Sequence, residues 1–302
     1  MKPSQPSVVD RLGGPVVVFG VLGLLVGAAV APFAWNAATA PDGTVAVIEV
    51  HGTITGDTAA ATVADLREAR QNDSIKAVTL DINTRGGTAS ASEQLYLAVK
   101  RTEQVMPVTV SVTGSAASGG YYTASPADRI FVTPASTVGS VGVRAVVPSQ
   151  QEIAGQIASG PDKVSSATEA EVRRRVETLR RAFVGSVVAE RGDALELTAE
   201  EISYAKLYAG SRGIEVGLAD EVGGLDAAIA ASAERADLSD YRTVRMESPT
   251  PSVLSQIGLS SSAETSATGA ATRVDSVQYL MLHGQLHRPT AETQEVTPNA
   301  TN

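Results

Sequence analysis

The sequence predicts an α/β protein built from βαβ units on a parallel sheet, preceded by one transmembrane helix. Short aliphatic runs at 45–50 (VAVIEV), 77–82 (AVTLDI) and 108–112 (VTVSV) alternate with helix-period stretches over 59–70 and 91–103. Continuous aliphatic runs of that length suit strands buried on both faces, and their alternation with helices implies right-handed crossovers. An uncharged segment nearer the N-terminus is long enough to span a membrane. These observations set the fold class.

The first element is that apolar segment. No residue from Leu12 to Pro41 is charged, and 13–35 (GGPVVVFGVLGLLVGAAVAPFAW) matches the ~20 residues a helix needs to cross ~30 Å of hydrocarbon. Lys2 and Arg11 precede it and Asp42 is the first charge after it, so the positive-inside rule leaves 1–12 in the cytoplasm and exports the rest. A cleaved signal peptide is the alternative, since Ala38-Thr39-Ala40 has the small-x-small form of a cleavage site. The apolar run is longer than an ordinary signal-peptide core, which favours an uncleaved anchor in the cell membrane.

The αβ domain is expected over 45–245. After VTVSV come shorter strands at 129–132 and 140–147, then a long helix over 168–191 with Val172, Val176, Leu179, Phe183 and Val187 at spacings of three and four. Its other face carries Arg173, Arg174, Arg175, Arg180 and Arg181, with Glu169, Glu171 and Glu177 nearby, so it reads first as a solvated face and second as a subunit contact. Thr198-Ala-Glu-Glu201 is a capping box that starts another helix. From about residue 246 the chain turns to Ser, Thr, Ala, Pro and Gly, interrupted by VQYLMLHG at 277–284. This reads as a mostly disordered tail, 246–302, with one or two short docking helices.

Composition removes whole classes of function. With no cysteine among the 302 residues, disulfides, thiolate metal sites and a cysteine nucleophile are excluded. His51, His283 and His287 are too few and scattered for a convincing metal cluster, so no metal or other cofactor is expected. A net charge of −9 argues against a nucleic-acid partner, which would need a basic face. The core must be aliphatic and alanine-rich, because hydrophobic residues make up 43% of the chain and aromatics only 4%.

Chemistry is expected where strands end, since open parallel sheets bind ligands at their carboxyl ends. DINTRGG (81–87) follows one strand, and its Gly86-Gly87 pair lets a backbone N–H approach a bound carbonyl. GSAASGGYYTA (114–124) follows another, placing Ser118 where strand passes to helix among small neighbours. Alone, the first reads sooner as a tight turn and the second as close helix packing than as catalytic machinery. TVGSVGV (137–143) precedes no clear helix, so a dinucleotide site is rejected.

Taken together, VIEVHGTI, LDINTRGG, AASGGYYTASPADRIFVTPASTVGSVGV, SGPDK and AGSRGIEVGLADEVGG follow one another as in the signal peptide peptidase A family, a branch of the Clp protease and crotonase superfamily. The chain resembles a half-length, archaeal-like member over about 45–230. That resemblance implies a Ser/Lys dyad with Ser118 as nucleophile and Lys163, in SGPDK, as general base. The other lysines are Lys2, Lys76, Lys100 and Lys206, of which Lys206 lies in a helix at a position the family does not fix. It also implies an oxyanion hole from the N–H groups of Gly87 and Gly119, peptide substrates, and a homo-oligomeric ring of subunits. The family's usual turn has Ser-Pro before Gly-Gly, whereas this chain has Thr84-Arg85. The function so implied is hydrolysis of signal peptides or other unfolded hydrophobic peptides through an acyl-enzyme. The alternatives are an inactive membrane scaffold of the same fold and, less favoured, a crotonase-like acyl-CoA enzyme.

Overall fold

A computed structural model describes residues 41–146, 168–246 and 278–283, together with residues 19, 22–26, 28, 29 and 159. In chain order the elements are β1 (Gly43–His51), α1 (Gly56–Gln71), β2 (Ile75–Thr84), β3 (Gly86–Thr88), α2 (Ala89–Glu103), β4 (Val108–Ala117) and α3 (Gly119–Ala124). There follow β5 (Arg129–Val132), β6 (Thr137–Gly139), β7 (Arg144–Val146), α4 (Glu169–Arg191), α5 (Ala199–Ser203), β8 (Leu207–Ala209), α6 (Gly210–Glu215), β9 (Glu221–Val222), α7 (Leu225–Arg235), β10 (Tyr241–Met246) and β11 (Gln278–Leu282).

The aliphatic runs become the middle of a mostly parallel sheet. Its order is β10-β1-β2-β4-β5-β9, and every neighbouring pair along that path is parallel. Val45 to Ile48, Val78, Leu80, Ile82, Val108, Val110 and Val112 are all buried, as expected of strands covered on both faces. On one face α7 meets Thr79 and Thr109 through Ser232, whose Oγ lies 2.9 and 2.7 Å from their hydroxyl oxygens. The carbonyls of Ala228 and Val78 anchor this cluster, so its polar atoms are satisfied inside the core. Leu66 and Ala69 of α1, Leu95 and Val99 of α2 and Tyr121 of α3 join the larger core cluster.

Helix boundaries follow local chemistry. The expected helices at 59–70 and 91–103 start a few residues earlier, because Thr55 and Thr88 cap them by accepting from Thr58 N and Ala91 N. Thr168 and Thr198 each form a capping box, with Glu171 and Glu201 closing it. Along α4, Val172, Phe183 and Val187 are buried, while Arg173 pairs with Glu169 and Arg180 and Arg181 share Glu177. The arginine face is chiefly solvated.

Two expected elements differ. The strand at 140–147 shortens to Arg144–Val146, because Ser140 takes a left-handed φ of 55° and Gly142 lies in the irregular stretch before β7. The apolar stretch 277–284, within a tail expected to be mostly disordered with short helices, contains a strand, β11, because β3 and β7 offer it unpaired edges on both sides. Among the described residues no helix is long and apolar enough to cross a membrane. The 13–35 anchor lies outside them except for Phe19, 22–26, 28 and 29, which are helical and exposed.

Candidate active site

The carboxyl ends of β2 and β4 bring the two glycine-bearing turns together. β4 ends at Ala117 and α3 begins at Gly119, so Ser118 is the single residue of the bend. It has φ 54° and ψ −116°, a conformation that costs a non-glycine residue on the order of 1–3 kcal/mol. The surroundings hold it there: Ser118 N donates to Gly139 O at 2.8 Å, and Ser118 O accepts from Tyr122 N at 2.9 Å. Its hydroxyl does not cap the helix but lies 3.4 Å from Gly142 O, a long contact that leaves it weakly engaged. Ser118 is 2% exposed.

Facing it is the Gly86-Gly87 turn. Gly86 has φ +94°, and a methyl group there would meet Met281 O at 1.9 Å and Gly119 N at 2.7 Å. Only glycine fits where these three backbones converge. Ile54 pins the turn from the other side, its N donating to Gly86 O and its O accepting from Thr88 N, both at 3.0 Å. A methyl on Gly87 would come within 1.8 Å of Ile54 O.

Thr84 braces this turn in a way sequence reasoning missed. Its hydroxyl donates to Gly52 O and accepts from Gly86 N at 3.0 Å, so a side chain ties down a loop that Ser-Pro would stiffen through its ring. Thr84 also packs on Gly120, where a methyl would meet its Cγ2 at 2.6 Å. The signal was present: a β-branched hydroxyl two residues before a Gly-Gly pair can bond the turn's own N–H. Gly139, Gly142 and His283 were also missed. The first two back the serine, and His283 Nδ1 lies 3.1 Å from Ser140 Oγ.

Of the expected site residues, Ser118, Gly87 and Gly119 meet at one place. Lys163 lies outside the described residues. Of the described lysines, Lys100 pairs with Glu190, Lys206 Nζ stands 5.5 Å from the Tyr204 ring, and the Lys76 side chain lies beside Gly43. Behind the site, Tyr96, Tyr122 and Phe183 stack with successive centroids 4.5 Å apart. Burial, then the hydrogen bond to Glu190, pushes the Tyr96 phenol up to about 12, and burial likewise raises Tyr121 and Tyr122.

A strained serine on a strand-to-helix bend, facing glycine backbones on a parallel α/β sheet, is an arrangement that suits a nucleophilic serine hydrolase. The fold is shared with a mutant of the 1510-N membrane-bound stomatin-specific protease, at a TM-score of 0.50 and 17% identity over 68% of this chain and 99% of that one. Residues 100–168, which include Ser118, match Peptidase family S49. The chain is 30% identical over 225 residues to Protease 4 of Salmonella typhi, covering 66% of this chain and 36% of that protein. It is 26% identical over 220 residues to the chloroplastic serine protease SPPA of Arabidopsis thaliana, covering 66% of this chain and 32% of that protein. In these stretches the chain is similar to family S49 peptidases of the signal peptide peptidase A type. It spans about a third of the length of these two relatives.

Proposed function

We propose that this chain is a membrane-anchored endopeptidase that cleaves signal peptides or other unfolded hydrophobic peptides with a Ser118/Lys163 dyad. The observation that carries this reading is the bend at Ser118, where a strained serine lies beside the Gly86-Gly87 turn and Gly119, with a backbone carbonyl, that of Met281, already among them. In this mechanism Lys163 takes the proton of Ser118 as Oγ attacks, and the N–H groups of Gly87 and Gly119 stabilise the oxyanion. The amine that leaves is reprotonated, and water then releases the acyl-enzyme. Segment 13–35 anchors the domain on the extracytoplasmic side, a reading helped by the exposed apolar Leu22, Leu24, Leu25 and Val26 on its helical part. Subunits assemble into a ring, with the arginine-bearing face of α4 available for that contact.

The test is mass spectrometry after treatment with a serine-directed acylating inhibitor, with one adduct expected, on Ser118. Ser118→Ala and Lys163→Ala should each abolish peptide cleavage, and the double variant should be no worse, because members of one catalytic unit are non-additive. A neutral lysine base requires kcat/KM to rise with pH through an apparent pKa well below lysine's usual value of about 10.4. The sign follows from the role: a base must be neutral, and only desolvation that disfavours the ammonium would bring a lysine to that state near neutral pH. Absence of both adduct and cleavage would favour the scaffold reading. A rate flat from about pH 6 to 10, with chemistry limiting, would remove Lys163 as base.

A further inference from the structure

The connection between α1 and β2 is the triplet Asn72-Asp73-Ser74, which has the form Asn-X-Ser with X other than proline. That form is the acceptor signal for N-linked glycosylation, a modification carried on surface turns of exported proteins. The triplet recurs by chance in many chains, so its setting in the fold decides whether it can act. Here Gln71, Asn72, Asp73 and Ser74 are all exposed. Asn72 ends the helix, its N donating to Glu68 O at 3.0 Å, and its O accepts from Ile75 N at 2.9 Å, so the backbone turns at once into β2. Asn72 Oδ1 accepts from Ser74 N at 3.0 Å and from the Ser74 hydroxyl at 2.7 Å. Such a side chain bonding the backbone two residues on is an Asx turn. Ser74 N can only donate, which fixes the atom facing it as the amide oxygen. The amide nitrogen, Nδ2, is left without a hydrogen bond to any described residue.

The turn stands at the amino ends of the strands. Ser74 O accepts from Thr44 N at 2.8 Å, which ties it to the start of β1. Ser118 lies at the carboxyl ends, and the 10 residues of β2 put about 30 Å between the two places. A saccharide on Asn72 thus leaves the approach to the serine open. The same end of the sheet receives the chain from the proposed anchor: residues 36–42 join segment 13–35 to β1, a reach of at most about 25 Å. Lipid-linked saccharides are carried in the membrane, so a turn beside the first strand stands within their range.

We propose that Asn72 is an N-glycosylation site, taking an oligosaccharide from a polyprenyl-phosphate-linked donor in the membrane. The inference rests on the reading that the domain is exported, because such transfer takes place on the outer face of the membrane. Asn72 Nδ2 bonds to the anomeric carbon of the donor's first sugar and gives up one proton to a base on the transferase. The bond from that carbon to the lipid phosphate oxygen breaks, and the phosphate leaves with the electron pair. No oxidant or reductant enters. Because the sugar is carried on nitrogen, Oδ1 keeps its lone pairs for Ser74 and the turn survives the modification. A second triplet of this form, Asn299-Ala300-Thr301, lies outside the described residues.

The experiment is peptide mass spectrometry of the full chain isolated from the cells it comes from, as wild type, Ser74→Ala and Ser74→Thr. Trypsin cuts after Arg70 and Lys76 and releases QNDSIK, residues 71–76. In the wild type this peptide should carry a saccharide mass that fragment ions place on Asn72. Occupancy should fall by about tenfold or more in Ser74→Ala, which lacks the hydroxyl the triplet requires. Ser74→Thr keeps a hydroxyl and should stay modified, which separates recognition of the triplet from damage to the turn. Unmodified QNDSIK in a wild type that protease added outside intact cells can digest would overturn the inference and leave export standing. Unmodified QNDSIK in a chain protected from that protease until the membrane is opened would sink both. Equal occupancy in wild type and Ser74→Ala would also overturn it, since the mass would then be attached without reading the triplet.

Discussion

Thr84 is the residue whose removal best separates the site's rigidity from its chemistry. It is 2% exposed, and its hydroxyl joins the end of β1 at Gly52 to the Gly86-Gly87 turn. Thr84→Val keeps shape and removes the hydroxyl, leaving Gly52 O and Gly86 N without that partner. Gly52 O can turn to water, but Gly86 N is buried, and a buried donor so orphaned costs about 1–3 kcal/mol, which thermal or denaturant unfolding would register. Because the turn sets the position of the Gly87 N–H, peptidase activity should fall by about tenfold or more with KM changed little. An unaltered kcat in a destabilised variant would show that the turn is held without Thr84.

At the scale of elements, α2, α3 and α4 meet through aromatic side chains whose hydroxyls are kept protonated. Tyr96 of α2 stacks on Tyr122 of α3, which packs on Phe183 of α4, while Tyr96 Oη donates to Glu190. Tyr121 Oη donates to Leu218 O at 2.9 Å from full burial. A tyrosine in the unfolded chain loses its proton near pH 10, whereas burial, aided by Glu190, holds Tyr96 protonated to about 12. Between those values the folded state binds more protons than the unfolded one, so stability is full below about pH 10 and falls as pH rises towards 12. Tyr96→Phe should make that fall shallower in denaturant titrations at a series of pH values. An identical slope would mean that Tyr96 does not stay protonated in the fold.

For the whole molecule, the proposed anchor raises the question of which side of a membrane the sheet would stand on. The absence of native cysteine makes this directly measurable. Val105 is 64% exposed at the end of α2, so Val105→Cys supplies a single thiol that folding leaves reachable. With the anchor oriented by Lys2 and Arg11, a membrane-impermeant maleimide should label this cysteine in intact cells. Labelling only after the membrane is opened would reverse the orientation and, with it, the access to exported peptides.

Much of the fold was legible along the chain because its causes are local. The runs VAVIEV, AVTLDI and VTVSV are too continuously aliphatic for a half-exposed strand, and Thr168 and Thr198 mark their helix starts by bonding residues three positions away. Ser118 and the two glycine turns were recognisable as motifs for the same reason. What holds them was not. The strained bend depends on Gly139, the turn on Gly52 and Ile54, and the groove on a five-residue strand drawn from beyond residue 246. A stretch as short as QYLML carries too few positions for its periodicity to separate strand from helix. Its conformation is decided by two open edges, β3 and β7, that exist only once residues 86–88 and 144–146 have been brought side by side.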